Sequence, residues 1–189
     1  MKKIEYVYRE ILFQVIEKKN NKLTQLDLAK TLKISISTVN YSLKPLVKMN
    51  AVSINQRNFV VIDPKKILYY WASIRNIEKD IIYQTRVNLP IYQIEKNMPN
   101  DIVYGAYSAY KFRFKDAPSD YSEAYIYGSE ELKKRFGESK NPPNLLIIQK
   151  DGLMDRYGKL TTIAQTFVDL WNIRTWYANE FLKALEAKI

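Results

Sequence analysis

The sequence predicts an α+β fold: a helical N-terminal module that ends in a β-hairpin, then a small α+β domain closed by two helices. Three observations predict it. Apolar residues recur at helical spacing through most of the first fifty positions. Two β-branched runs then flank a polar turn. Beyond residue 80, helix-like and strand-like patterns alternate.

Ile4, Val7, Tyr8, Ile11, Leu12, Val15 and Ile16 form one apolar stripe, which predicts a first helix of roughly three turns. Lys18-Lys19-Asn20-Asn21-Lys22 ends it. Thr24 is placed to cap a second helix, with Asp27 as its reciprocal partner and Leu23 and Leu28 as the flanking staple. Leu28, Ala29 and Leu32 give that helix its inward side. Ile34-Ser35 makes the turn into a third helix, with Ser35 as cap and Ile34 and Val39 as staple. Val39, Leu43, Leu46 and Val47 form the inward stripe, while Ser37, Asn40, Tyr41, Lys44 and Lys48 face outward. Pro45 sits inside this helix, at a usual cost of about 3 kcal/mol, and predicts a kink or a loosened turn. Ala51–Ile54 and Asn58–Ile62 read as two strands around Asn55-Gln56-Arg57.

Short polar groups near the start of a helix and cations further along suit a helix in a DNA major groove, where the former reach base edges and the latter meet phosphates. The candidate DNA-contacting residues are therefore Ser35, Ser37, Thr38, Asn40, Tyr41, Lys44, Lys48 and Arg57. Of these, Ser37, Asn40 and Tyr41 are expected at bases, and Lys44, Lys48 and Arg57 at phosphates. Arg57 is either a wing arginine or a solvated turn residue.

Charge points the same way. The net is +10, of which residues 1–78 hold +8 (14 Lys and Arg against 6 Asp and Glu) and residues 79–189 only +2. A cationic surplus confined to one part suits a polyanion-binding module. There is no cysteine and no histidine, so disulfides, thiolate chemistry and histidine general-base chemistry are excluded. No run approaches the length of a membrane span and the N-terminus lacks a signal-type apolar stretch, so a cytoplasmic location without membrane attachment is expected.

Residues 4–62 carry the pattern TQ-x-x-LA-x-x-x-x-x-S-x-STV-x-x-x-L-x-x-L. It resembles the winged helix-turn-helix superfamily of bacterial and archaeal regulators. Many members have Gly where Asn50 stands, and Asn also tolerates the left-handed conformation.

Asp63-Pro64 starts a further helix, as cap and first position, and Ile67, Tyr70, Trp71, Ile74, Ile77 and Ile81 continue it at helical spacing. The expected domains are thus 1–63, a linker helix at 64–80, and 81–189. In the last, strands are expected at Ile81–Val87, Ile102–Gly105, Glu123–Tyr127 and Leu145–Ile148. Short helices are expected after Pro90, at Ala106–Phe112 and at Ser129–Phe136. Ile163–Trp171, capped by Thr162, and Thr175–Ala187 close the chain.

GAYSAYKF, SEAYIYG-x-x-EL, NLLII and Gln165-x-x-Val168-Asp169-Leu170-Trp171 occur in this order over residues 80–187. They resemble the C-terminal domain of the AbiEi antitoxins, the regulator halves of type IV toxin–antitoxin systems. That resemblance implies an autorepressor that opposes a nucleotidyltransferase-like toxin without a stable complex.

No enzymatic activity is expected, and no cofactor or metal. Gly128-Ser129 matches the start of a nucleotidyltransferase site, but Ser139, Lys140, Asn141 and Pro142 stand where its paired carboxylates belong. Asp151, Asp155, Asp116 and Asp120 read as loop residues. Asp169 reads as a cap, a partner of Arg174 or a carrier of antitoxin function, with pairing or exposure to solvent the expectation. Two other readings stand beside the regulator: a winged-helix protein-interaction module with an interface rich in the 15 tyrosines, and a ligand-responsive transcription factor. Most helix-turn-helix proteins read two half-sites as dimers, but the sequence leaves the oligomeric state open, with Trp171–Phe181 as either the face of a homodimer or internal core.

Overall fold

In the computed structural model, which describes Met1–Ile189, helix α1 spans Lys3–Ile16 and turns Val7, Tyr8, Ile11 and Leu12 fully inward. Strand β1 (Lys22–Leu23) follows, then α2 (Gln25–Leu32) and α3 (Ile36–Lys48). The cap of α2 forms as the spacing predicts: Asp27 N–H donates to Thr24 Oγ1 at 3.0 Å. The reciprocal bond differs. The short Asp27 carboxylate accepts from the Thr24 hydroxyl at 2.7 Å.

Lys33, at φ 53°, makes the left-handed turn between α2 and α3. Asn50 adopts φ 55° after α3, the conformation for which Asn substitutes for Gly. Helix α3 runs through Pro45 to Lys48 without a break. The hairpin pairs β2 (Val52–Ile54) with β3 (Phe59–Val61), opposing Val52 to Val61 and Ile54 to Phe59. Strand β1 adds to the other edge of β3, giving the antiparallel order β1-β3-β2. This third strand has too few residues to show any periodicity.

Helix α4 (Pro64–Ile74) corrects the expected domain layout. Asp63 caps it by accepting from Lys66 N–H at 3.1 Å. Its stripe of Ile67, Leu68, Trp71 and Ala72 is buried, and Tyr70 meets Tyr8 of α1 edge to face, with ring centroids 5.7 Å apart. The helix stops at Ile74, and the chain divides into compact units Met1–Arg75 and Asn76–Lys188. The segment 64–80 is therefore no linker. Residues 64–75 complete the N-terminal unit, because an aromatic stripe needs an apolar partner and α1 supplies it. Residues 77–80 form a separate 3₁₀ turn in the second unit.

The second unit contains β4 (Ile81–Thr85), α5 (Ile91–Lys96), β5 (Val103–Tyr104), α6 (Ala106–Phe114), β6 (Ala124–Gly128), β7 (Leu145–Gln149), α7 (Ile163–Trp171) and α8 (Ala178–Glu186). The sheet order is β4-β7-β6-β5. β6 and β7 run parallel, and the two outer pairings are antiparallel. Both central strands are buried on both faces, which explains their unbroken apolar runs. One face packs Ile126, Leu145 and Ile147 against Ile94, Met98 and Leu132. Elsewhere Tyr107 stacks on Tyr121 at 5.3 Å and meets Phe181 edge to face at 4.9 Å.

Six of the 15 tyrosines that the sequence offers to an interface are core residues: Tyr8, Tyr107, Tyr110, Tyr125, Tyr127 and Tyr177 are buried. Phe181 is internal as well, whereas Trp171 and Trp176 are exposed. No helix is long and apolar enough to cross a membrane.

Candidate nucleic-acid interface

Tyr8 fixes the height of α3 from below. Its hydroxyl donates to the Ser42 carbonyl at 3.1 Å. Burial pushes that hydroxyl well above the ordinary tyrosine value, with neighbouring Tyr70 adding to the effect. Val39, Leu43 and Leu46 are fully buried beneath the helix. Val47 departs from the expected inward stripe and is 38% exposed, since it lies one position past the buried row.

The start of α3 is held by Ser35. Its Oγ accepts from Thr38 N–H at 3.1 Å and lies 2.8 Å from Thr38 Oγ1. Two of the candidate residues thus form the cap itself. The outward side carries Ser37, Asn40, Tyr41, Lys44 and Lys48, all exposed. They stand on one continuous helix, and an open groove of about 530 Å³ is lined by Gln25, Ile36, Ser37, Asn40, Tyr41 and Lys44. Arg57 is exposed in the Asn55–Asn58 loop, which is closed by Asn55 N–H donating to the Asn58 carbonyl at 2.8 Å.

Gln25 and Ile36 belong to this surface although their spacing gave no sign of it. Ile36 lies three residues before Val39 and so imitates the buried stripe, yet at the first position of α3 it is 50% exposed. Gln25 opens α2 and accepts from Asn40 Nδ2 at 3.4 Å.

Residues 9–52 match a family model described as winged helix-turn-helix DNA-binding. No curated protein and no solved structure matches the chain. The chain thus carries a winged helix-turn-helix DNA-binding domain, which supports DNA as its partner. With the unit boundary after Arg75, the winged helix-turn-helix unit holds 14 Lys and Arg against 5 Asp and Glu, a net of +9. Residues 76–188 hold 16 against 15, a net of +1.

Three acidic residues of the second unit have partners within it. Asp169 corrects the expected exposure or pairing with Arg174: it is fully buried and accepts from the Tyr127 hydroxyl at 2.7 Å. Arg174 faces Glu78 instead, at 3.8 Å. Asp155 pairs with Lys150 at 2.7 Å, and Asp151 accepts from Leu153 N–H at 3.0 Å. Gly128 ends β6, and a Cβ there would collide with the end of the Leu132 side chain and force it to shift. No group of three or more acidic side chains is placed to hold a metal ion.

Proposed function

We propose that the chain is a sequence-specific DNA-binding regulator of transcription. One observation carries this reading: the outward face of α3, on a winged helix-turn-helix unit of net charge +9, presents Ser37, Asn40 and Tyr41 followed by Lys44 and Lys48. In a major groove, the first three reach base edges and the lysines meet phosphates. Ser35 and Thr38 stand where the helix enters the groove, and Arg57 on the wing loop meets the adjoining backbone. Two copies reading two half-sites would follow the usual symmetry of such regulators.

The finer reading is an AbiEi-like antitoxin and autorepressor with a non-catalytic second unit acting in the cytoplasm. Motif order supports it. GAYSAYKF falls on the β5–α6 junction, SEAYIYG leads into and fills β6, NLLII fills β7, and Gln165–Trp171 lies on α7.

A mobility-shift titration against the DNA upstream of its own gene tests the first reading. A complex that weakens steeply with salt is expected. No complex at any salt concentration overturns it. Co-expression with an adjacent nucleotidyltransferase-like gene tests the second, with restored growth expected; unrelieved toxicity removes the antitoxin role.

A further inference from the structure

Asn40 and Ile36 stand four residues apart on α3, so they share one helix face. Gln25 lines the same groove, and its Oε1 accepts from Asn40 Nδ2 at 3.4 Å. An amide nitrogen carries two N–H groups. With one aimed at Gln25, Asn40 keeps a second N–H and its carbonyl oxygen side by side for a ligand. Gln25 also fixes which end of that amide is the nitrogen, as long as its own oxygen faces Asn40.

In the major groove, adenine offers an N7 acceptor beside an N6 donor, the complement of this pair. Guanine offers two acceptors, and its O6 would face the Asn40 oxygen.

Ile36 is the second clue. At 50% exposed, it is the one aliphatic side chain in a groove whose other lining residues are Gln25, Ser37, Asn40, Tyr41 and Lys44. The apolar group on a base edge of this groove is the thymine C5-methyl. One helical turn covers about 5.4 Å and a base-pair step about 3.4 Å, so residues one turn apart meet bases one to two pairs apart.

Resting on the DNA-binding reading above, we propose that this face selects A·T pairs. Asn40, positioned by Gln25, reads an adenine, and Ile36 packs on the methyl of a thymine one or two base pairs away. Gln25 is a positioning residue and Ile36 a specificity-determining one.

Selection of the full chain on a randomised duplex pool, followed by base-analogue titrations, tests this. The enriched half-site should hold an adenine and a thymine at that spacing. Replacing the adenine by another base should weaken binding roughly 5- to 150-fold. Uracil at the thymine deletes only the methyl and should weaken the wild type about fourfold. Ile36→Ala should not feel that change. Gln25→Ala should flatten the preference for adenine while leaving the uracil effect, and Gln25→Glu, which keeps the acceptor, should retain the preference. All three side chains are at the surface, and unchanged thermal unfolding of each variant confirms an intact fold.

A pool with no enrichment and no shift overturns the DNA-binding reading itself. An enriched site without the A·T pair, or a uracil effect equal in wild type and Ile36→Ala, leaves DNA binding intact and overturns this inference. Adenine preference that survives Gln25→Ala removes the positioning role.

Discussion

The indole N–H of Trp71 donates to Glu5 Oε2 at 3.1 Å, joining the end of α4 to the start of α1. The same oxygen lies 3.6 Å from Arg75 Nη1, and Glu5 Oε1 accepts from Lys2 N–H at 2.9 Å. Both charged partners are almost fully buried. A buried carboxylate with three donors around it is costly to break, because removing it leaves a guanidinium and an indole in a dry site. Glu5→Ala should therefore cost about 3–5 kcal/mol. Glu5→Gln keeps an acceptor for Trp71 and should cost less. Urea unfolding followed by tryptophan fluorescence reads both, and an unshifted Glu5→Ala midpoint would remove the clamp from the account.

This clamp also marks where the sequence stopped being legible. The caps of α2, α3 and α4 were readable because a capping side chain and the amide it serves lie within three residues. The wing strands were readable from alternation. The partner of α4 was not, because Trp71 and Glu5 are 66 positions apart, and spacing along one helix does not say what covers it. The same limit hid Gln25, whose partner Asn40 lies on the next helix. It also hid the burial of Asp169, whose partner Tyr127 sits on a strand 42 residues earlier.

Glu95 plays the corresponding part in the second unit. Only 2% exposed, it accepts from Ser108 Oγ at 2.8 Å, Lys111 Nζ at 2.9 Å and the Tyr121 hydroxyl, tying α5 to α6 and to the segment before β6. Glu95→Ala should destabilise this unit, since it leaves the Ser108 and Tyr121 hydroxyls unpaired, at about 1–3 kcal/mol each. Lys111→Ala leaves a carboxylate only 2% exposed with two hydroxyl donors and no counter-charge, and should cost about 3–5 kcal/mol. Calorimetric melting of the two variants measures both; an unshifted Lys111→Ala melt would show that the hydroxyls, and not the lysine, hold the carboxylate.

Lys44, Lys48 and Arg57 should behave as phosphate contacts. Each cation that meets a phosphate releases condensed counterions from the duplex, so affinity falls with salt by nearly one logarithmic unit per contact. Replacing any one with Ala should weaken all sequences alike and reduce the slope by about one. Asn40→Ala should do the reverse, keeping the slope and losing discrimination. A salt titration on a specific and a scrambled duplex separates the two behaviours. A slope unchanged in all three cation variants would place the DNA elsewhere on the unit.

Alkaline pH should unfold the chain through its buried tyrosines. Burial, as the leading cause, raises the Tyr8, Tyr107, Tyr121 and Tyr125 hydroxyls above their ordinary value of 10.0. The folded state therefore holds these protons where the unfolded chain has begun to release them. Stability from this source is fully present below about pH 10 and is lost as pH rises beyond it. Each such tyrosine adds about 1.4 kcal/mol per pH unit to the decline. Tyr125→Phe should shed one such contribution and melt more nearly like itself at neutral pH. Melting temperature followed with tyrosinate absorbance from about pH 8 to 12 gives the profile; a wild-type curve flat across that window would mean that these hydroxyls ionise as easily folded as unfolded.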